Sequence, residues 1–140
     1  MKTRNNYRSR YVSFSPDGSF LALQYKLTGI EVLSVPTFKR VAFLDFSDSK
    51  KYVDIYSPRW SPNGQFLAAS CGDGRVRIWR TADWSVVHTL KLHGYWSEAE
   101  YQVAFSPDSR YLISGGFSSA KLLSTANREE IYQNRFSLYK

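Results

Sequence analysis

His88 and His93 stand five residues apart, with the single cysteine, Cys71, well before them. Imidazole and thiolate are zinc ligands, but structural zinc takes four of them. Neither a Cys-x-x-Cys pair nor a His-Glu-x-x-His run occurs, so no metal is expected. His88 reads as a strand residue and His93 as a loop or network residue. Cys71 precedes Gly72-Asp73-Gly74 at the end of an apolar run. A nucleophilic thiol needs an electropositive, partly exposed setting. A lone free cysteine is more commonly a small buried hydrophobe. Glu98 with Glu100, and Glu129 with Glu130, read as solvated charges, because hydrolytic carboxylates need a pocket around them. Gly72-x-Gly74 and Gly115-Gly116 lie between strand-like runs rather than before a helix, so they cradle no phosphate. The expectation is a non-enzyme without a cofactor.

Binding is the better use of the remaining side chains. Tyr56 and Arg59 flank Pro58, while Tyr95, Trp96 and Tyr101 cluster farther on. Tyr, Trp and Arg dominate interface hot spots, and loops carry binding more often than cores do. The plainer reading of Trp96 and Tyr101 is packing between elements. Arg75, Arg77 and Arg80 form a local basic cluster, and 1–10 carries Lys2, Arg4, Arg8 and Arg10 with no acid. The net charge is +7, so more than half of it sits in this tail. Nucleic acid or an anionic surface is therefore a partner to weigh, and a solubilising terminus is the plainer reading.

Composition narrows the class. Of 140 residues, 43% are apolar and 16% aromatic, which excludes a disordered chain. One cysteine excludes an intrachain disulfide framework. The basic N-terminus is followed by Tyr11-Val12-Ser13-Phe14-Ser15-Pro16 rather than a signal-peptide core. No run approaches the roughly 18 apolar residues of a membrane helix, and a cytoplasmic protein is expected.

These residues must be positioned by a repeat. Phe14-Ser15-Pro16-Asp17-Gly18 returns 46 residues later as Trp60-Ser61-Pro62-Asn63-Gly64, and 45 after that as Phe105-Ser106-Pro107-Asp108-Ser109. Phe20-Leu21-Ala22 matches Phe66-Leu67-Ala68 and Tyr111-Leu112-Ile113. Ile30-Glu31-Val32-Leu33-Ser34 matches Val76-Arg77-Ile78-Trp79-Arg80 and, less well, Ala120-Lys121-Leu122-Leu123-Ser124. Two anchors in register set units of 11–56, 57–101 and 102–140 behind the tail. Each unit reads as four short strands rich in β-branched and aromatic residues, broken by turn residues. In unit one these span about 11–15, 20–25, 30–35 and 40–46. In 75–80, Val76 and Ile78 face one way, and Arg75, Arg77 and Trp79 the other. A sheet apolar on both faces needs a neighbour on each side.

Phe-Ser-Pro-Asp-Gly, then Phe-Leu-Ala, then Gly-Asp-Gly-Arg-Val-Arg-Ile-Trp resembles the WD-repeat β-propeller family. The resemblance is strongest over 60–79 and weakest over 117–124. It implies an all-β fold of three four-stranded antiparallel blades that displays loops to other proteins. It also implies structural roles for Trp79, Asp73 and His93, with Trp60, Phe14 and Phe105 at matching blade positions. The family's Trp-Asp pair survives only as Trp79-Arg80, with Leu33-Ser34 and Leu123-Ser124 elsewhere. Ala69 falls where the family's hydrogen-bonded network has a hydroxyl. Closed propellers use about 4–8 blades. Three blades therefore imply a second copy of the chain, further blades of a longer chain or another polypeptide, or an open arc. The expected function is a protein-interaction scaffold; the rival is an anionic-surface binder using 1–10 and Arg75–Arg80.

Overall fold

The computed structural model describes residues 11–25, 29–46, 55–91, 102–115, 119–126 and 130–135. They form twelve strands and, among the described residues, no helix. Blade 1 comprises β1 (Val12–Phe14), β2 (Phe20–Tyr25), β3 (Gly29–Ser34) and β4 (Arg40–Asp45). Blade 2 comprises β5 (Ile55–Trp60), β6 (Phe66–Cys71), β7 (Arg75–Arg80) and β8 (Val86–Lys91). Blade 3 comprises β9 (Gln102–Phe105), β10 (Tyr111–Gly115), β11 (Ser119–Ser124) and β12 (Glu130–Arg135). Each blade is an antiparallel sheet in simple sequence order. The first strands β1, β5 and β9 lie side by side, so the sheets are arrayed about their inner edges.

The repeat is repeated in backbone detail. Leu21 pairs with Leu33, Leu67 with Trp79, and Leu112 with Leu123. A register shift falls after Val32, Ile78 and Leu122, at the same place in each blade. A bulge of this kind strengthens twist and bends the outer strand.

The turn between the first two strands is built by chemistry visible in the sequence. Proline presets the second turn position, and the fourth needs positive φ. Gly18 and Gly64 supply it at 73° and 74°, and Ser109 does so at 61°. Ser15 Oγ donates to Asp17 Oδ1 at 2.7 Å and accepts the Phe20 N–H at 2.9 Å. Ser61 with Asn63, and Ser106 with Asp108, do the same in blades 2 and 3.

Two seams make the core. Ala22, Ile30, Val32, Leu44 and Phe46 of blade 1 meet Trp60, Leu67, Ala69, Cys71 and Trp79 of blade 2. The opposite face of blade 2 brings Ala68, Val76, Ile78 and Leu90 against Val103, Phe105, Leu112 and Leu123 of blade 3. Alternation along β7 sends Trp79 and Arg77 into the first seam and Val76 and Ile78 into the second. The two outermost faces of the array carry exposed apolar side chains: Val12, Phe14 and Phe43 on blade 1, Ile113 on blade 3.

Trp79 is 1% exposed, so Trp79→Ala should cost about 3–5 kcal/mol, read as a fall in melting temperature. The turn carboxylates add an acid-sensitive component. The N–H of Ser19, with the Ser19 and Ser15 hydroxyls, lowers Asp17 to about 2. The Ser106 hydroxyl and Arg110 N–H lower Asp108. Both groups are held ionised by the fold, so their stabilisation is full above the ordinary carboxylate value and fades as pH falls. For Asp17 that window runs from 3.8 to about 2. Melting curves across it should steepen in their pH dependence for the native chain, and flatten for Asp17→Asn.

Candidate functional site

Blade 2 holds the site residues because both of its faces are fixed. It buries an ion pair. Asp73 lies in the β6–β7 turn, where its Oδ1 accepts the Arg75 N–H at 3.1 Å. The Arg77 guanidinium donates to Asp73 Oδ2 at 2.7 Å and to Oδ1 at 3.3 Å. Arg77 is 2% exposed and lies over the Phe46 ring of blade 1, 4.8 Å from its centroid. Trp79 packs on the same ring at 5.8 Å. Asp73 is thus committed to Arg77, which stands directly opposite Ala69 in the ladder. In blade 2 a salt bridge takes up the turn aspartate that the resemblance assigned to a hydrogen-bonded network. His93 lies outside the described residues.

This placement divides the basic cluster. Arg77 is a seam residue, not the outer-face cation that its neighbours made it resemble. Arg75 and Arg80 begin and end β7, about 17 Å apart at the rise of an extended strand, so they sit at opposite ends of the blade. Arg59 is exposed opposite Ala68, and Tyr56 stands opposite Ser70 in the ladder. Tyr95, Trp96, Tyr101 and the tail 1–10 lie outside the described residues. Trp60 is buried at 9% exposure, and Phe105 packs against the second seam. Phe14, at the matching position of blade 1, is 61% exposed because no described residue covers that face.

Cys71 is fully buried in the first seam. Among the described residues, no three metal-ligating side chains lie together, and no helix is long and apolar enough to cross a membrane.

Trp84 is the structural residue that motif reading missed. It sits in the β7–β8 turn with φ of 58°. Its ring meets Phe20 edge-on at 5.4 Å and Trp60 edge-on at 6.0 Å. Trp60 stacks on Phe20 at 6.3 Å, and its indole N–H donates to the Ser13 carbonyl at 3.1 Å. The signal was present: Trp84 lies 46 residues after Phe38, the same offset as the other repeat anchors.

A shallow cleft of about 20 Å³ opens at the second seam. Ile78, Leu90, Leu112 and Leu123 line its apolar wall, and His88 and Thr125 are among its polar members. Phe66 also lines it and is paired with Arg80, an exposed cation at that end of the blade. That is room for about one water molecule, so a large apolar side chain would rest on the cleft rather than enter it.

Three stacked four-stranded sheets with in-register turns define a propeller-blade protein. The family model for the WD domain, G-beta repeat (WD40), matches residues 38–80 and 84–120, more than half of the chain. The chain belongs to the WD40-repeat family, whose members generally serve as protein-interaction scaffolds. It is 36% identical over 81 residues to Protein hir1 of Emericella nidulans, covering 54% of this chain and 8% of that protein. It is 32% identical over 66 residues to a guanine nucleotide-binding protein subunit beta of Zea mays, covering 47% of this chain and 17% of that one. The crystal structure of the RRP9 WD40 repeats superposes with a TM-score of 0.77 at 17% identity, over 95% of this chain and 40% of that chain. The chain therefore spans a small part of its curated relatives and less than half of this structural neighbour.

The ion pair makes a quantitative test of the seam. Arg77→Met leaves Asp73 buried without its partner, and should cost about 3–5 kcal/mol in urea unfolding. Adding Asp73→Asn should recover part of that loss, because the stranded charge is then removed.

Proposed function

We propose that this chain is a non-catalytic protein-interaction scaffold of the cytoplasm, in which a basic tail over 1–10 precedes a three-blade body over 11–140. The observation that carries the reading is the cleft at the second seam. Its apolar wall belongs to two sheets already locked together, so it is preorganised, and little ordering cost falls on binding. A Leu, Met or Phe of a partner would lie across this apolar wall rather than insert into it. Arg80, exposed beside Phe66, favours an acidic residue close to that anchor. Arg59 and the aromatics Tyr56, Tyr95, Trp96 and Tyr101 supply further contact surface in the same proposal. The relation to hir1 and to G-protein beta subunits supports a scaffold rather than an enzyme.

The rival reading, an anionic-surface binder, loses strength with Arg77. Its cluster keeps two cations at opposite ends of a strand, which leaves the tail as the main electrostatic element.

Displayed peptides selected on the chain should converge on one large apolar residue with an acidic neighbour. Val87 lines the cleft and is half-buried. Val87→Asp should weaken such peptides by about tenfold or more while the melting temperature stays close to native. Selected peptides indifferent to Val87→Asp would remove the cleft from the proposal. Binding to a short DNA duplex or to anionic vesicles that falls steeply with salt, and disappears on deleting 1–10, would favour the rival.

A further inference from the structure

At one end of blade 2 the β5–β6 turn and the β7–β8 turn border an open cleft of about 350 Å³, within the range of small-ligand sites. Asn63, Gly64 and Gln65 line it from the first turn, and Arg80, Thr81 and Ala82 from the second. Phe66 lines it too, and also lines the shallow cleft at the second seam. An apolar wall and a polar cleft therefore meet at one side chain.

The two turns are tied to each other. The Thr81 N–H donates to the Gln65 carbonyl at 3.0 Å, and the Thr81 hydroxyl donates to the Gly64 carbonyl at 2.6 Å. The Asn63 N–H donates to the Ser109 hydroxyl of blade 3 at 3.0 Å. The cleft is thus preorganised, and little ordering cost falls on binding.

What the cleft still offers is one-sided. Besides those two carbonyls, Asn63 Oδ1 accepts from the Ser61 hydroxyl and the Gln65 N–H, and Gln65 Oε1 accepts from Asn63 Nδ2 at 3.4 Å. By contrast, the exposed Arg80 guanidinium and the Gln65 side-chain N–H groups make no hydrogen bond or ion pair among the described residues. Asp83 follows Arg80 closely, but its carboxylate is held by the hydroxyl and N–H of Ser85, which lower it more than Arg80 does. A preformed cleft whose open groups are donors, one of them a permanent cation, selects an anion with more than one acceptor oxygen.

The cation is particular to blade 2. The same main-chain tie joins Val35 to Ser19 in blade 1 and Thr125 to Arg110 in blade 3. Ser34 and Ser124 stand there in place of Arg80, and the Ser34 hydroxyl is engaged with Thr37 and the Lys39 carbonyl. Arg110 of blade 3 lies 4.0 Å from Asp108 and over the Tyr111 ring.

We propose that this cleft takes the side-chain carboxylate of an acidic peptide segment, held by the Arg80 guanidinium and the Gln65 amide, while an apolar neighbour in the segment lies on the wall at Phe66. The proposal rests on the scaffold reading and names a recognition element within it. The volume exceeds what one oxyanion fills and continues onto an apolar wall, so the occupant is a chain segment rather than a free anion. The pair lies at the surface, so its contribution is modest and sensitive to salt.

The test uses the intact chain and two peptides blocked at both ends, Leu-Glu-Glu and its uncharged counterpart Leu-Gln-Gln. Binding is followed by NMR on the Arg80 Nε–H and the Gln65 side-chain amide signals. Leu-Glu-Glu should shift both and bind about tenfold more tightly than Leu-Gln-Gln, with the advantage fading at high salt. Arg80→Gln should erase the advantage and Arg80→Lys should keep part of it. Gln65→Glu should abolish it, because a resident carboxylate then faces Arg80. Both positions are exposed, so melting temperatures should stay close to native. No shift at millimolar peptide, an advantage that survives Arg80→Gln, or displacement of Leu-Glu-Glu by an equal concentration of inorganic phosphate would each overturn the proposal. Equal binding of the two peptides that is lost with Val87→Asp would overturn the carboxylate site and leave the scaffold reading standing.

Discussion

A four-stranded sheet that is apolar on both faces has no stable existence by itself, and that constraint organises this molecule. Blade 2 sends Trp60, Leu67 and Trp79 one way and Ala68, Val76 and Ile78 the other. Burying either set requires another sheet at van der Waals distance, and burying both requires two. The fold is therefore a stack of dependent units rather than three small domains. Stability is carried in the seams, with the strands of each blade supplying the backbone hydrogen bonds.

Within that frame the polar groups are placed by what the seams permit. Arg77 enters the first seam only because Asp73 meets it at 2.7 Å and the Phe46 ring covers it. An arginine at that depth without a carboxylate would carry a large desolvation cost. The turn aspartates sit at the solvent edge, where serine hydroxyls and main-chain N–H groups hold them ionised. Ser109 shows the same economy from the other side. It accepts a positive φ that glycine adopts more easily, and its hydroxyl receives the Asn63 N–H across the second seam at 3.0 Å.

The WD40 family match covers more than half of the chain, and the superposition on the RRP9 repeats supports the fold. The relatives are much longer proteins matched over 8–17% of their length, so their own activities belong to them. What is particular to this chain lies in its substitutions: a salt bridge among seam hydrophobics, a serine in place of a turn glycine, and an isoleucine where an alanine recurs.

Strand identity, blade number and turn chemistry were legible in the residues. A period of 44 to 46 with Pro-Asp-Gly turns is a local pattern, and local patterns survive into local structure. In blade 1 the strands fall within one or two residues of where alternation places them. The split of Val76 and Ile78 from Trp79 and Arg77 followed from the two-residue period alone, while the structural role of Trp79 followed from the resemblance to the family. Two features were beyond that reading. Arg77 reads as one member of a basic cluster because charge along a sequence says nothing about what lies above a sheet face. Phe14 reads as the equal of Trp60 because repeat position is local, whereas exposure depends on whether another sheet covers it. The sequence by itself determined which side chains share a face. Only the tertiary structure decided which faces are covered, since that depends on neighbours far away along the chain and on the close packing between them.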